Sequence, residues 1–138
     1  MTNRIQDFKK ATGVFCRQGI KVYFDKHFVS TPMISLATKK LGCELGVILT
    51  ASHNPPSYNG YKLKSKHGGP LVQKYITEIE GMIPDSDSYR HETDDTSLEE
   101  WEQKGLLEIV DLETMYYEHI AGYFDLESMT ENSELIVA

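Results

Sequence analysis

A chain of 138 residues with 21 Asp and Glu against 14 Lys and Arg, a net charge of −7, has room for one domain with a real core and little more. Taken whole, that acidity argues against a nucleic-acid binder, and no apolar run approaches the length of a membrane span. The charge is uneven: residues 1–76 hold twelve Lys and Arg against three Asp and Glu, residues 77–138 two against eighteen. The basic part suits an anionic ligand such as a phosphate ester, and the acidic part reads mostly as solvated surface.

From the N-terminus, Ile5, Phe8, Ala11, Val14, Phe15 and Gln18 recur at helical spacing, and Gly19 supplies a left-handed stop. Arg4, Asp7, Lys9 and Lys10 break any apolar stretch that would make a signal peptide. Residues 20–24 predict a short strand and 25–30 a loop. Thr31-Pro32 predicts a helix start, with Thr31 as the capping hydroxyl and Ile34, Ala37 and Leu41 as its buried stripe up to Gly42. A buried strand over 44–50 follows. Helix, strand, helix and strand joined by short links predict a parallel α/β sheet with right-handed crossovers. Cys16 and Cys43 fit neither a metal spacing nor a disulfide framework and read as reduced thiols of a cytosolic protein.

Beyond the loop at 50–60, residues 61–66 predict a strand whose Lys62, Lys64 and Lys66 share one face. His67-Gly68-Gly69-Pro70 is a turn, and Ile76, Ile79 and Ile83 mark a helix over 72–83. Residues 84–96 are polar and acidic and predict a loop. Ser97-x-x-Glu100 is a capping box for a short helix closed by Gly105, followed by an extended segment at 106–110. Met115, Tyr116, His119, Ile120, Tyr123 and Phe124 mark a longer helix, whose aromatic residues suit packing against a neighbouring domain rather than a ligand box. Glu134–Ala138 predicts a strand in need of a sheet, and the abrupt start and stop predict a piece of a longer chain.

The chemistry concentrates in Thr50-Ala51-Ser52-His53-Asn54-Pro55-Pro56, reaching on through Asn59-Gly60-Tyr61-Lys62. The apolar run Leu45, Val47, Ile48, Leu49 leads into it, so Ser52 is a hydroxyl at a strand end, where α/β sheets place their reactive groups. Pro55 disfavours helix at Asn54. The Asn59-Gly60 turn can fold Lys62 back toward the serine. His53 and Ser52, adjacent on an extended segment, point to opposite faces, which argues against His53 as base for Ser52. The G-x-S-x-G elbow of serine hydrolases is absent. From the residues alone, Ser52 is a phosphoryl acceptor, a nucleophile or part of a plain turn. His27, His91 and His119 show no ligand spacing.

The run Thr50-Ala51-Ser52-His53-Asn54-Pro55 with Tyr58-Asn59-Gly60-Tyr61-Lys62 resembles the phosphoserine loop of the α-D-phosphohexomutases, which include phosphoglucomutases and phosphomannomutases. Gly19-Ile20-Lys21-Val22, Ser30-Thr31-Pro32 and Gly46-Val47-Ile48-Leu49 fall in the order of that family's first domain. The resemblance covers residues 3–83 and continues weakly through 112–138. It implies a three-layer α/β/α domain with a mainly parallel sheet, incomplete at both ends: residues 1–111 are the first domain, and 112–138 the link and opening strand of a second.

The resemblance further implies an isomerase in which phosphorylated Ser52 gives its phosphoryl group to a sugar monophosphate, making a bisphosphate that reorients and returns the other phosphate. Ser52 is then the phosphoryl carrier and, through its phosphate, a ligand of Mg²⁺. Lys62 neutralises charge or moves the proton, and His53 and Asn54 shape the loop. Implied partners are the phosphosugar, a sugar bisphosphate activator and the remaining domains of the parent chain, with neither nucleic acid nor membrane, in the cytoplasm. Asn59-Gly60-Tyr61-Lys62 leans toward glucose or mannose. The family's opening glycine-rich segment and first strand, its Asp-x-Asp-x-Asp metal loop and its two later substrate loops have no counterpart here. The fragment alone is therefore expected to be inactive, since one ligand does not hold Mg²⁺ tightly. A non-catalytic module of the same fold and a serine hydrolase using Ser52 are the rival readings.

Overall fold

The computed structural model describes residues 2–52, 54–55, 60–84, 96–125 and 128–129, with side chains from residue 8 onward. Its elements in chain order are α1 (Thr2–Arg17), β1 (Val22–Phe24), α2 (Thr31–Lys40), β2 (Leu45–Thr50), β3 (Gly60–Ser65), α3 (Gln73–Met82), α4 (Leu98–Gln103), β4 (Leu107–Ile109) and α5 (Leu112–Ala121). The helical and strand periods in the sequence therefore produce an α/β fold. The predicted stops at Gly19, Gly42 and Gly105 all carry positive φ, at 74°, 65° and 72°.

Two helix starts differ from the sequence prediction. The N-cap of α2 is Ser30, one residue before Thr31, which moves Pro32 to the second helical position. Both Ser30 and Thr31 are capping types, so composition does not choose between them. α5 begins at Leu112, three residues before the predicted Met115, because Asp111 caps it: Asp111 Oδ1 accepts from the Thr114 N–H at 2.9 Å and Oδ2 from the Thr114 hydroxyl at 2.8 Å. At α4 the predicted cap is present, with the Glu100 N–H donating to Ser97 Oγ at 3.2 Å.

The strands form two pairs. β1 lies parallel to β4, pairing Val22 with Leu107 and Phe24 with Ile109. β2 and β3 form an antiparallel ladder from Leu45–Ser65 to Thr50–Gly60, which is the fold-back that Asn59-Gly60 predicts. β1 and β2 are not hydrogen-bonded neighbours. The parallel partner of β1 is a strand over eighty residues away, a non-local pairing that no local sequence signal reports. The predicted loop interior (85–95) and the predicted strand at 134–138 lie outside the described residues.

The core has two parts. Cys16, Trp101 and Leu107 are buried together, with Val22, Phe24, Leu98, Leu106 and Ile109 packed on them. This cluster ties α1 and α4 to the β1–β4 pair, and Phe8 meets Phe24 edge to face at 5.9 Å. Cys16 is buried and Cys43 half-buried, and neither is in a disulfide. The second part joins α2 to β2 through buried Ala37, Thr38, Gly46 and Ile48. A Cβ on Gly46 would run into Thr38 Oγ1, so glycine here sets how closely helix and strand approach. Thr38 donates its hydroxyl to the Ile34 carbonyl at 2.7 Å, satisfying a buried polar group inside its own helix.

Asp25, at the exit of β1, pins α5 in place. Its carboxylate is almost wholly buried; Oδ2 accepts from the Leu112 N–H at 2.8 Å and Oδ1 from the His27 N–H at 2.8 Å. A carboxylate at the first N–H groups of a helix is well placed against the helix dipole. α5 is thereby fixed to the end of β1 and packs along α2. Tyr117, Tyr123 and Phe124 are exposed on and just beyond it.

Candidate active site

β2 delivers the serine loop. Gly46 and Ile48 bury one face of the strand, and the run ends at buried Ala51, which anchors the turn. Ser52 follows, exposed and with φ of 53°, the described non-glycine residue with positive φ. A serine held there costs on the order of 1 kcal/mol relative to an ordinary conformation. Two hydrogen bonds hold it: the Ser52 N–H donates to Thr50 Oγ1 at 2.9 Å, and the Asn54 N–H to the Ala51 carbonyl at 2.9 Å. The second closes a four-residue turn with Ser52 at its second position. A strained residue on an exposed turn at a strand end is where backbone cost accompanies function.

Thr50 has a role in the loop that the sequence reading missed. Its hydroxyl, two residues before Ser52, caps the serine's own amide. The signal was available, since Ser and Thr side chains commonly bond backbone two residues on. Gly60 sits opposite Thr50, and a Cβ on it would come within 2.9 Å of the Thr50 carbonyl. Glycine there lets the two strand ends converge beside the serine turn.

Lys62 lies on β3 opposite Ile48. Counted along the strand, Ser52 is four residues beyond that level, at most about 13 Å for an extended chain and less for one that turns. The hairpin therefore places Lys62 on the strand next to the serine loop, set back from Ser52, with its long stem as the reach between them. Strand alternation puts Lys62 and Lys64 on one face, as predicted. Lys66 is past the end of β3, in the turn, 3.8 Å from Glu44. Among the described residues Lys62 is exposed and makes no ion pair, so its charge is available to an anion. The neighbouring Tyr61 phenol is pushed up by burial and stays protonated at neutral pH.

Asn54 is exposed in the turn, and His53 lies outside the described residues, as do Tyr58 and Asn59. His67-Gly68-Gly69 is a turn: the Gly68 N–H donates to the Ser65 carbonyl at 2.8 Å, and buried Gly68 packs onto the Ser35 backbone. Among the described residues no group of three or more His, Cys, Asp or Glu gathers that could hold a metal ion. Mg²⁺ takes six oxygens, and Ser52 contributes one through any phosphate it carries; the described residues therefore do not fit a Mg²⁺ site by themselves. No helix among the described residues is long and apolar enough to cross a membrane.

Comparison with known proteins connects this geometry to a chemistry. Residues 6–90 match the family model described as phosphoglucomutase/phosphomannomutase, alpha/beta/alpha domain I. A Schizosaccharomyces pombe protein described as a phosphoribomutase is 48% identical over 70 residues, which are 51% of this chain and 12% of that protein. The phosphoglucomutase/phosphomannomutase of Thermococcus kodakarensis is 30% identical over 113 residues, 82% of this chain and 23% of the relative. A crystal structure from Thermus thermophilus, assigned to a phosphomannomutase, superposes with a TM-score of 0.62 at 36% identity, covering 79% of this chain and 22% of that one. The chain thus spans between an eighth and a quarter of the length of these relatives.

Proposed function

Because this chain belongs to the phosphoglucomutase/phosphomannomutase family, we propose that Ser52 is the phosphoryl carrier of a sugar-phosphate mutase and that residues 1–138 are its serine-bearing part. The observation that carries the reading is Ser52 itself. It is an exposed hydroxyl at the end of β2, held at φ of 53° by the Thr50 side chain, with the Lys62 strand alongside.

In the proposed reaction a hydroxyl oxygen of a sugar monophosphate attacks the phosphorus on Ser52. The bond from phosphorus to Ser52 Oγ breaks, and the proton lost by the sugar hydroxyl is taken up by the departing serine oxygen, beside the Lys62 charge. The bisphosphate then turns, and its other phosphoryl group returns to Ser52, leaving the isomeric monophosphate. Such transfer depends on positioning and on neutralising charge on the moving group. The turn fixes the oxygen and β3 supplies the cation. Asn54 and His53 shape the loop around them.

The same proposal takes a sugar bisphosphate as activator and a cytoplasmic setting, with 112–138 as the start of a second domain. Mg²⁺ would need oxygens from polypeptide other than the described residues, so no step is assigned to it. The preferred substrate is a glucose or mannose phosphate, from Asn59-Gly60-Tyr61-Lys62. A pentose phosphate is the second reading, favoured by the 48% identity to a protein described as a phosphoribomutase.

The test is steady-state kinetics of the full-length parent with glucose, mannose and ribose phosphates. Ser52→Ala is expected to abolish turnover on whichever sugar the parent prefers, without unfolding the protein. Unchanged turnover in that variant would refute the carrier role.

A further inference from the structure

The loop between β1 and α2 shows an aromatic ring to solvent at the end of β2 from which Ser52 emerges. The Cys43 N–H donates to the Thr38 carbonyl at 2.9 Å, so the end of α2 meets the start of β2, and the helix runs back along the strand. Gly46 marks the contact: a Cβ there would lie 3.3 Å from Ile34 Cγ2 and run into Thr38 Oγ1. From Ile34 back to Ser30 the helix rises about 6 Å, and two extended residues before it add up to about 7 Å. β2 covers about 13 Å from Gly46 to Thr50. Phe28 thus stands level with the end of β2 and about 10 Å to the side, one helix diameter.

That ring is 80% exposed, and the chain on both sides of it is fixed. Before it, the buried Asp25 carboxylate accepts from the His27 N–H at 2.8 Å and from the Leu112 N–H at 2.8 Å. After it, Val29 is half-buried, and the Ser30 carbonyl accepts from the Met33 N–H at 3.1 Å as α2 begins. The phenyl group contributes little to the core, yet its place is set by the braced loop. A rigid aromatic held out beside a reactive group gives up little entropy on gripping a ligand.

We propose that Phe28 is a substrate-binding residue, a platform on which the sugar ring rests while the bisphosphate turns. The proposal rests on Ser52 as the phosphoryl carrier. Between the two transfers the sugar must present first one end and then the other to Ser52 without leaving. Hydrogen bonds are directional and lose their geometry when the ring turns over. An aromatic face has no such preference, since it covers the C–H groups of a sugar face by apolar contact in either orientation. Ser52 and Lys62 engage the phosphate end, and Phe28 stands to the side, where the sugar ring lies. The phenyl group has no hydrogen-bonding atom, so it leaves the sugar hydroxyls to other partners. What it adds is retention of the intermediate, and its loss should loosen the bisphosphate more than it slows the transfer.

The experiment is steady-state kinetics of Phe28→Trp, Phe28→Leu and Phe28→Ser in the full-length parent. The substrate is glucose, mannose or ribose 1-phosphate, whichever wild type turns over fastest, and glucose 1,6-bisphosphate is the activator. A looser platform releases more of the intermediate, so the leucine and serine variants should need about tenfold more activator for half-maximal rate. At saturating activator their kcat should stay within about twofold of wild type. Phe28→Trp keeps a flat ring and should keep the wild-type requirement. Phe28→Leu keeps apolar bulk without a flat face, which separates stacking from packing. An unchanged requirement in the leucine and serine variants, beside normal labelling of Ser52 by isotopic bisphosphate, overturns the platform and leaves the carrier role standing. An equal rise in all three variants also overturns it. So does a lowered melting temperature with an unchanged requirement, because Phe28 then packs against another part of the parent. If Phe28→Ser does not fold, Phe28→Leu against Phe28→Trp still decides. No label on wild-type Ser52 overturns the carrier role, and the platform with it.

Discussion

Ser52 combines two demands that conflict in any other residue. Glycine would adopt φ of 53° without strain, and an L residue does so at a cost, yet glycine has no side-chain oxygen to carry a phosphoryl group. Ser52→Gly and Ser52→Ala should therefore be equally inactive in the full-length parent while differing in stability. The glycine variant relieves the turn and the alanine variant keeps the strain, so the glycine chain should be more stable than the alanine chain by up to about 1 kcal/mol in chemical denaturation. Equal stability would mean that the turn is not strained. Lys62→Met removes the charge next to the loop and keeps most of the stem's volume. Loss of one preorganised electrostatic group predicts a fall in kcat of roughly a hundredfold or more in the parent, with little change in melting temperature. A near-normal kcat for Lys62→Met would remove Lys62 from the proposed chemistry.

At the scale of elements, two close contacts explain how the loop is held. α2 meets β2 through Thr38 and Gly46 with no space for another methyl group, so Gly46→Ala must push helix and strand apart. Overpacking of this kind costs typically about 1–3 kcal/mol, and denaturant titration of the variant should show it. The other contact is the start of α5, where Asp111 accepts from the backbone and then the side chain of Thr114, which lowers its pKa. A lowered folded-state pKa contributes stability above the ordinary carboxylate value, and that contribution is lost as pH falls through the folded value. Asp111→Asn keeps a capping side chain without the charge. Wild type should therefore melt higher than this variant at pH 7, and the two should converge as pH falls below the ordinary carboxylate range and through the lowered folded-state value. A gap that persists at low pH would mean the charge is not what Asp111 contributes.

These elements also show how far the sequence could be read. Helices and strands with strong periods or glycine stops were legible, and so was the β2–β3 hairpin, because local turn chemistry specifies it. Asp111 stands directly before buried Leu112, the first apolar position of the α5 stripe, so its capping role was legible in the sequence although the reading began the helix at Met115. The partnership of β1 with β4 and the latch from Asp25 to Leu112 join residues far apart in sequence, and side-chain periodicity carries no information on such pairs. At the site, Ser52 and Lys62 stand out from a motif, whereas the positive φ at Ser52 and the service of Thr50 to its amide are three-dimensional facts.

For the whole molecule, the described residues gather no metal site and do not by themselves supply the oxygens that Mg²⁺ would need. The isolated chain is accordingly expected to give only background conversion in a coupled assay with sugar phosphate, sugar bisphosphate and Mg²⁺. Robust turnover by the purified 138-residue chain would contradict that division of labour. The claim on which everything else depends is that Ser52 carries the phosphoryl group. Its most direct test is peptide mapping by mass spectrometry of the full-length parent, purified active and then incubated with a sugar bisphosphate carrying isotopically labelled phosphate. The account predicts labelled phosphate on Ser52, lost when unlabelled sugar monophosphate is added and incorporated nowhere in Ser52→Ala. Full turnover with Ser52 unmodified, or label that resides on another residue, would contradict it.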